Sequence, residues 1–357
     1  AHDFLIGAAY RYTYYDDNAG ATFNTDSSEN SPSTIYLPGI FVQDQIALNE
    51  FNTLLLGARY DHNNVHGNIF SPRINYKWNS KNEKTILRLS AGNGFRVANV
   101  FTEDHAALTG AREVVFEEEL RPEQSINVNV NAVHKIYTKN ETFINLDASV
   151  FYTSFSNRIV PDYETNPNQI IYANSDGKAI SQGASLNTEF IFKNGIRLMG
   201  GVTLMDVTLE ENGKKVKQLL TENFTGVWNM EYTILPWNLK INYTGNLYSP
   251  MRLPLLGQLD DRSEYSPWFS IQNIQLTKLI NNQWEIYGGV KNLLNFTPAR
   301  NSIARSFDPF DRNVQFDSNN EVVATPNNPN ALSFDPTYVY ASNQGIRGFI
   351  GIKYHLK

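Results

Sequence analysis

Arg96, Arg112, Tyr163, Tyr172, Arg252, Arg262, Tyr265, Arg305 and Arg312 are the side chains best suited to grip a ligand. All lie in or beside the long segments between hydrophobic runs. Arginine presents a planar fork of donors that can meet two anionic oxygens at once, and tyrosine presents stacking area with a polar tip. Together they suit an anionic, aromatic small molecule. Covalent chemistry finds less support. The chain has no G-x-S-x-G elbow, no His-Glu-x-x-His pair and no P-loop. Gly92-Asn93-Gly94 follows a strand but opens a loop, without the βαβ context of a dinucleotide site. Glu103-Asp104-His105 has metal-ligating side chains but reads better as a solvated loop, as does Glu117-Glu118-Glu119. Asp308, Asp311 and Asp317 fit no EF-hand spacing. The expectation is no catalytic residue, no metal site and no cofactor.

The elements that would position those side chains are strands. From Gly345 to Lys357, Ile346, Ile350, Ile352, Tyr354 and Leu356 share one parity. Arg347, Lys353, His355 and Lys357 take the other, with Phe349 the one large apolar residue among them. Side chains on a strand alternate between faces, so this segment has one apolar and one charged face. The pattern repeats along the chain. It predicts about fourteen strands: 4–14, 38–48, 52–62, 69–79, 84–93, 120–138, 142–154, 178–193, 196–208, 218–232, 238–248, 267–281, 283–294 and 345–357. Charge falls on one parity nearly every time. On 142–154, for example, Ile144, Leu146, Ala148, Val150 and Tyr152 oppose Asn145, Asp147 and Ser149. A Lys or Arg facing lipid at mid-bilayer costs about 2–4 kcal/mol, which would explain the bias. Asp44 and His134 break it, and a bulge or a place near the interface would excuse them.

Connections alternate in length. Asn49-Glu50, Asn79-Ser80, Lys139-Asn140, Asn194-Gly195, Leu235-Pro236 and Asn281-Asn282 mark tight hairpins. Between them lie 15–37, 94–119, 155–177, 249–266 and 295–344, with shorter connections at 63–68 and 209–216 on the same side. Short turns on one rim and long loops on the other describe an outer-membrane barrel, with its C-terminus on the short-turn side. Trp78, Phe192, Trp237, Trp284 and Tyr354 all sit beside short turns or the chain end, on the apolar parity. They are expected to form a membrane girdle there.

Composition agrees and excludes more than it proves. The formal net charge of −6 with scattered basic residues argues against nucleic acid. The absence of cysteine removes disulfides and thiolate chemistry. No apolar run reaches the roughly eighteen residues of a transmembrane helix. The 19 Tyr and 21 Phe suit a barrel with aromatic girdles, and also a tyrosine-rich soluble β-protein.

Several segments resemble the barrel of TonB-dependent outer-membrane receptors. Gly92-Asn93-Gly94-Phe95-Arg96-Val97-Ala98-Asn99-Val100-Phe101-Thr102-Glu103 is similar to that family's "G-x-G-F-R-x-P-N-x-x-E" segment, with Ala98 where Pro is usual. Leu120-Arg121-Pro122-Glu123-Gln124-Ser125 resembles its "L-x-P-E-x-S" signature. Val290-Lys291-Asn292-Leu293-Leu294-Asn295 resembles the "V-x-N-L-F-D" of a penultimate strand. The closing segment resembles the final strand, although it ends in Lys357 and not in an aromatic residue. The style is closest to siderophore and colicin receptors of Bacteroidetes-like bacteria.

The resemblance implies an all-β fold, an antiparallel transmembrane β-barrel. The family's barrel has about 22 strands around a plug that carries the TonB contact. Residues 1–357 would then be one partial barrel domain, with plug and first strands upstream. The implied function is energised uptake of a metal chelate, a ferric siderophore first, across the Gram-negative outer membrane. The implied partners are the TonB energy-coupling complex through the plug, the extracellular chelate and outer-membrane lipid, with no nucleic acid. Two rivals remain at this point: a self-contained fourteen-stranded passive channel or porin, and a soluble β-protein that binds carbohydrate.

Overall fold

The computed structural model describes all residues except 17–31, 97–112, 119, 164, 167–168, 176, 212–213, 256–261, 282, 300–301, 303–314, 319–321, 327–336 and 357. The chain opens with β1 (His2–Tyr15), β2 (Ser33–Ala47), β3 (Asn52–Asn63), β4 (Gly67–Asn79), β5 (Thr85–Arg96) and the short β6 (Glu113–Phe116). Then come β7 (Glu123–Tyr137), β8 (Phe143–Phe155), the short β9 (Ile159–Asp162) and β10 (Gln169–Asn174), β11 (Ala179–Ile191) and β12 (Ile196–Glu211). The rest is β13 (Lys214–Lys217), β14 (Phe224–Ile234), β15 (Leu239–Tyr248), β16 (Phe269–Ile280), β17 (Trp284–Lys291), β18 (Gln315–Phe316), β19 (Val322–Val323) and β20 (Arg347–Tyr354).

Fourteen of these strands pair in chain order into one wall, β1-β2-β3-β4-β5-β7-β8-β11-β12-β14-β15-β16-β17-β20, with β13 attached to β12. Every wall pairing is antiparallel. All fourteen expected strands are present. Among the described residues, β1 and β20 each pair on one side only. A 3₁₀ turn at Leu235–Trp237 makes the Leu235-Pro236 hairpin, closed by Asn238 in the left-handed region at φ 45°. Among the described residues no helix is long and apolar enough to cross a membrane, so any crossing is made by strands.

The register makes the two faces continuous. Ile196, Tyr232, Ile241, Leu276, Gly288 and Ile350 form one cross-strand row. The adjacent row, Arg197, Glu231, Asn242, Gln275, Gly289 and Phe349, points to the opposite face. Apolar side chains on the first face stay open: Ile6, Ile40, Phe70, Ile126, Val150, Leu204 and Ile350 are all exposed. The polar face is tied by pairs such as Arg197–Glu189 and Arg59–Asp61. Phe349 is at home there. It lies against Gly289, its register partner, with the Lys291 ammonium 5.4 Å from its ring centre. The same complement recurs at Gly7 with Phe41, Gly183 with Phe151 and Gly351 with Tyr287. In each, a cross-strand aromatic ring lies over a glycine that has no side chain to obstruct it.

Asp44 and His134 are accommodated without a bulge, because the ladders through both are unbroken. Each finds a neighbour on the same face. Asp44 Oδ2 lies 2.8 Å from His2 Nδ1, and His134 Nδ1 lies 2.8 Å from Thr85 Oγ1. Both pairs stand next to the short-turn rim, His2 at the start of β1 and Thr85 at the start of β5. The five residues expected to form a girdle lie toward that rim as well. Trp284 and Tyr354 are register partners with ring centres 4.6 Å apart. Phe192 stacks on Phe190 at 6.4 Å. Trp237 is well exposed in its turn, and Trp78 is the penultimate residue of β4.

Several expected boundaries move: β2 begins at Ser33 and not at 38, and β5 and β12 each run three residues further than expected, to Arg96 and Glu211. The segment 218–232 does not start as wall strand. Residues 218–223 turn through Leu220, left-handed at φ 52°, and β14 begins only at Phe224. The final strand is Arg347–Tyr354, shorter than the alternation, because its partner β17 runs only from Trp284 to Lys291.

Candidate functional site

On the long-connection rim the loops build a second layer. β6, β10 and β9 form a three-stranded sheet, with β10 parallel to β6 and antiparallel to β9. Tyr163, Ile170 and Tyr172 are its buried core, packed by Val114, Leu120, Ile159 and Leu219. The layer covers the polar face of the wall. Ala179, Val207 and Leu209 belong to that parity of β11 and β12, yet all are buried. Their apolar character at polar positions follows from this cover, since fully burying a Val or Leu side chain is worth about 1.5–3 kcal/mol.

The layer is pinned by polar groups. Arg96 Nε donates to Glu123 Oε2 at 2.6 Å, and the Ile159 amide donates to Glu123 Oε1 at 3.0 Å. Asn174, 4% exposed, joins three segments. Its Oδ1 accepts from the Arg121 amide at 2.7 Å, and its Nδ2 donates to the carbonyls of Arg121 and Asn157, each at 3.0 Å. The Asn174 amide donates to Glu118 Oε1 at 3.1 Å, so Glu118 is a tether and not merely a solvated face.

Between this layer and the wall lies a cavity of about 800 Å³. Arg158, Lys217 and Arg252 line it with Ile159, Tyr163 and Leu209. Lys217 is paired with Asp206. Arg252 Nη1 donates to the Lys217 carbonyl at 3.4 Å, and its Nε stands 3.8 Å from Glu264. Arg158 is partly buried with its guanidinium 5.4 Å from the Phe155 ring centre. Burial draws its pKa down, Glu123 opposes that shift and Arg96 adds to it.

The ligand candidates therefore divide. Tyr163 and Arg252 reach the cavity wall. Arg96 is engaged by Glu123. Tyr172 is 2% exposed and stacks on Phe116 at 5.8 Å, which makes it part of the loop core. Arg262 is buried in a second loop cluster, 4.0 Å from the Tyr338 ring centre, and Tyr338 Oη donates to the Ser263 carbonyl at 2.5 Å. Tyr265 is exposed beside that cluster. Arg112, Arg305 and Arg312 lie outside the described residues, as do Glu103-Asp104-His105, Glu119, Asp308 and Asp311. Sequence reading missed Arg158. Its one signal was a place three residues beyond the end of β8, in a long connection.

A family model described as TonB dependent receptor-like, beta-barrel matches residues 1–293. The chain belongs to this family. It is thus a barrel of the Gram-negative outer membrane, and its family is one of receptors and not of enzymes. It is 30% identical over 135 residues to the iron-regulated outer membrane virulence protein of Vibrio cholerae serotype O1 (strain ATCC 39315 / El Tor Inaba N16961), a match covering 37% of this chain and 20% of that one. Its fold is similar to a mutant of the ferric enterobactin receptor PfeA of Pseudomonas aeruginosa, solved with enterobactin, at TM-score 0.71 and 15% identity. That likeness covers 99% of this chain and 51% of the other. The siderophore receptor PirA of Acinetobacter baumannii matches at TM-score 0.67 and 16% identity, over 99% and 52%. The receptor barrel described here spans about half the length of these solved structures.

Proposed function

We propose that this receptor takes up a metal chelate, a ferric siderophore, across the outer membrane with energy supplied through TonB. The observation that carries the reading is the loop layer folded over the polar face of a TonB-dependent receptor wall, leaving a cavity with Arg158 and Arg252 in its lining. A passive channel needs no such layer. Solved structures of similar fold include a ferric enterobactin receptor and a siderophore receptor.

In this reading the apolar face meets lipid, and Trp78, Phe192, Trp237, Trp284 and Tyr354 mark its periplasmic boundary. The free sides of β1 and β20 pair with further strands of the same barrel, because an open edge does not persist in lipid. A plug supplied by the same protein gates the lumen and contacts the energy-coupling complex. Arg252 and Tyr163 contact the chelate, with Arg96, Arg112, Tyr172, Arg262, Tyr265, Arg305 and Arg312 as the remaining vestibule candidates. No residue is catalytic.

Uptake of radiolabelled iron in cells carrying or lacking the gene tests this. Iron presented as a tris-catecholate, as citrate and as a trihydroxamate should distinguish the substrate. Loss of uptake of one chelate on deletion, with the same loss when TonB is removed, is the expected result. Uptake that is indifferent to TonB would refute the reading.

A further inference from the structure

We propose that Lys278 holds the phosphate of an anionic phospholipid, of the phosphatidylglycerol type, so that the outer face of the wall carries a lipid-headgroup site at its short-turn rim. The starting point is the register. Leu239, Lys278, Ile286 and Ile352 form one cross-strand row. It lies two residues closer to the short-turn rim than the row of Ile241, Leu276, Gly288 and Ile350, and so on the same apolar face. Among the described residues, Lys278 is the one lysine or arginine of the fourteen wall strands with this parity. A lysine that faces lipid is costly at mid-bilayer and nearly free at the interface. Lys278 stands third from the end of β16, and the next row toward the rim carries Trp284 and Tyr354. Its ammonium donates to the Trp237 carbonyl in the 3₁₀ turn, so the stem runs along apolar surface toward the rim.

The charge is uncompensated on this face. Lys278 is exposed, and among the described residues no carboxylate pairs with it. Glu231 and Glu285 have the polar parity, 3.4 Å from Lys240 Nζ and 3.6 Å from His355 Nε2. Asp44 and His134, the other polar exceptions near this rim, differ because each meets a side chain of its own face. An ammonium carries three donors, and the Trp237 carbonyl takes one. A phosphodiester supplies the missing charge and acceptors at the headgroup level. Trp237 and Trp284 are exposed beside it, with the amphipathic rings that suit the glycerol level, and exposed Ile286 and Ile352 offer a track for an acyl chain. Phosphatidylethanolamine presents the same phosphate but brings an ammonium of its own. That group would need a carboxylate, and the rows around Lys278 hold none on this face. The complement is therefore a lipid with net negative charge.

The proposal rests on the membrane placement in the functional reading above and not on the chelate. The test uses the receptor at full genomic length, purified in detergent, with dioleoyl phosphatidylglycerol or dioleoyl phosphatidylethanolamine added and bound lipid counted by native mass spectrometry. Wild type should hold the first phosphatidylglycerol about fivefold more tightly than phosphatidylethanolamine, the factor expected of one lysine near an anionic headgroup. Lys278→Gln should abolish that preference and Lys278→Arg should keep it. Lys240→Gln, which removes a lysine from the polar face of the adjacent strand, should leave it unchanged. Excess inorganic phosphate should not displace the lipid. The proposal is overturned if wild type shows no preference, if Lys278→Gln retains it, or if Lys240→Gln removes it equally. Displacement by inorganic phosphate would make this a site for the free anion and overturn the lipid assignment. Iron uptake plays no part in the readout, so a failed uptake assay leaves the lipid site standing, and a failed lipid assay leaves the uptake reading standing.

Discussion

Arg96 and Glu123 are register partners on β5 and β7, and their side chains close the same rung with a 2.6 Å charge-assisted hydrogen bond. Each comes from a separate family-like segment, Arg96 from Gly92-Asn93-Gly94-Phe95-Arg96 and Glu123 from Leu120-Arg121-Pro122-Glu123. The two motifs are therefore halves of one interaction. It fastens the wall to the loop layer through the Ile159 amide. Glu123→Gln retains an acceptor but loses the charge, and Glu123→Ala removes both bonds. With Arg96 half exposed, the second should cost about 1–3 kcal/mol. Limited proteolysis of 156–178 should accelerate in Glu123→Ala more than in Glu123→Gln, and equal rates would refute the tether.

Asn174 offers a cleaner test of the loop layer, because its side chain makes three bonds to two other segments. Asn174→Ala should destabilise the layer by about 2–3 kcal/mol, at about 1 kcal/mol per bond. Urea-induced exposure of the buried Tyr172, followed by near-UV circular dichroism, should move to lower denaturant while the wall transition stays in place. A joint shift would mean that layer and wall unfold as one unit.

Asn292 explains the third motif. It is 3% exposed and left-handed at φ 53°. Its Nδ2 donates to the carbonyls of Phe296 at 2.7 Å and Gln344 at 3.1 Å, so it ties both ends of the last long connection. Asn292→Gly keeps the backbone at ease and loses the bonds, whereas Asn292→Ala also suffers the left-handed penalty of about 1 kcal/mol. Thermal unfolding should rank wild type above Asn292→Gly above Asn292→Ala. Equal midpoints for the two variants would show that the backbone conformation carries no cost.

The glycine and aromatic pairs predict a steric effect. Gly183→Val would drive a side chain into the Phe151 ring and the Leu204 carbonyl. Overpacking of this kind costs about 1–3 kcal/mol. Gly183→Val combined with Phe151→Ala should recover only part of it, because the backbone carbonyl remains in the way. Full recovery would mean that the ring alone sets the requirement.

The girdle can be located in depth. In single-tryptophan versions retaining Trp237 or Trp284, fluorescence should be quenched most by lipids brominated near the glycerol level. Strongest quenching by bromine deep in the acyl chain would remove these residues from the interface.

How much was legible in the sequence differs between wall and loops. Fourteen wall strands could be read because alternation is a local property, imposed residue by residue by two different environments. Val207 and Leu209 show the limit. They carry apolar side chains on the polar parity because a loop distant in sequence covers them, which no local pattern announces. Tyr172 could be recognised as a loop aromatic, but its burial depends on Phe116 and Ile170 meeting it through a parallel pairing with β6.

The sequence by itself determined the strand wall, its two faces, the unequal rims and the family, since these rest on period, turn chemistry and short motifs. Only the tertiary structure decided which arginines are tied into the loop layer. Arg96 and Arg158 are the same residue type in similar loop-edge positions, and what separates them is Glu123, which accepts a hydrogen bond from Arg96 and acts on Arg158 by charge alone, leaving Arg158 against the Phe155 ring. That allocation depends on three segments converging in space, so charge partnership could be read only after the chain had folded.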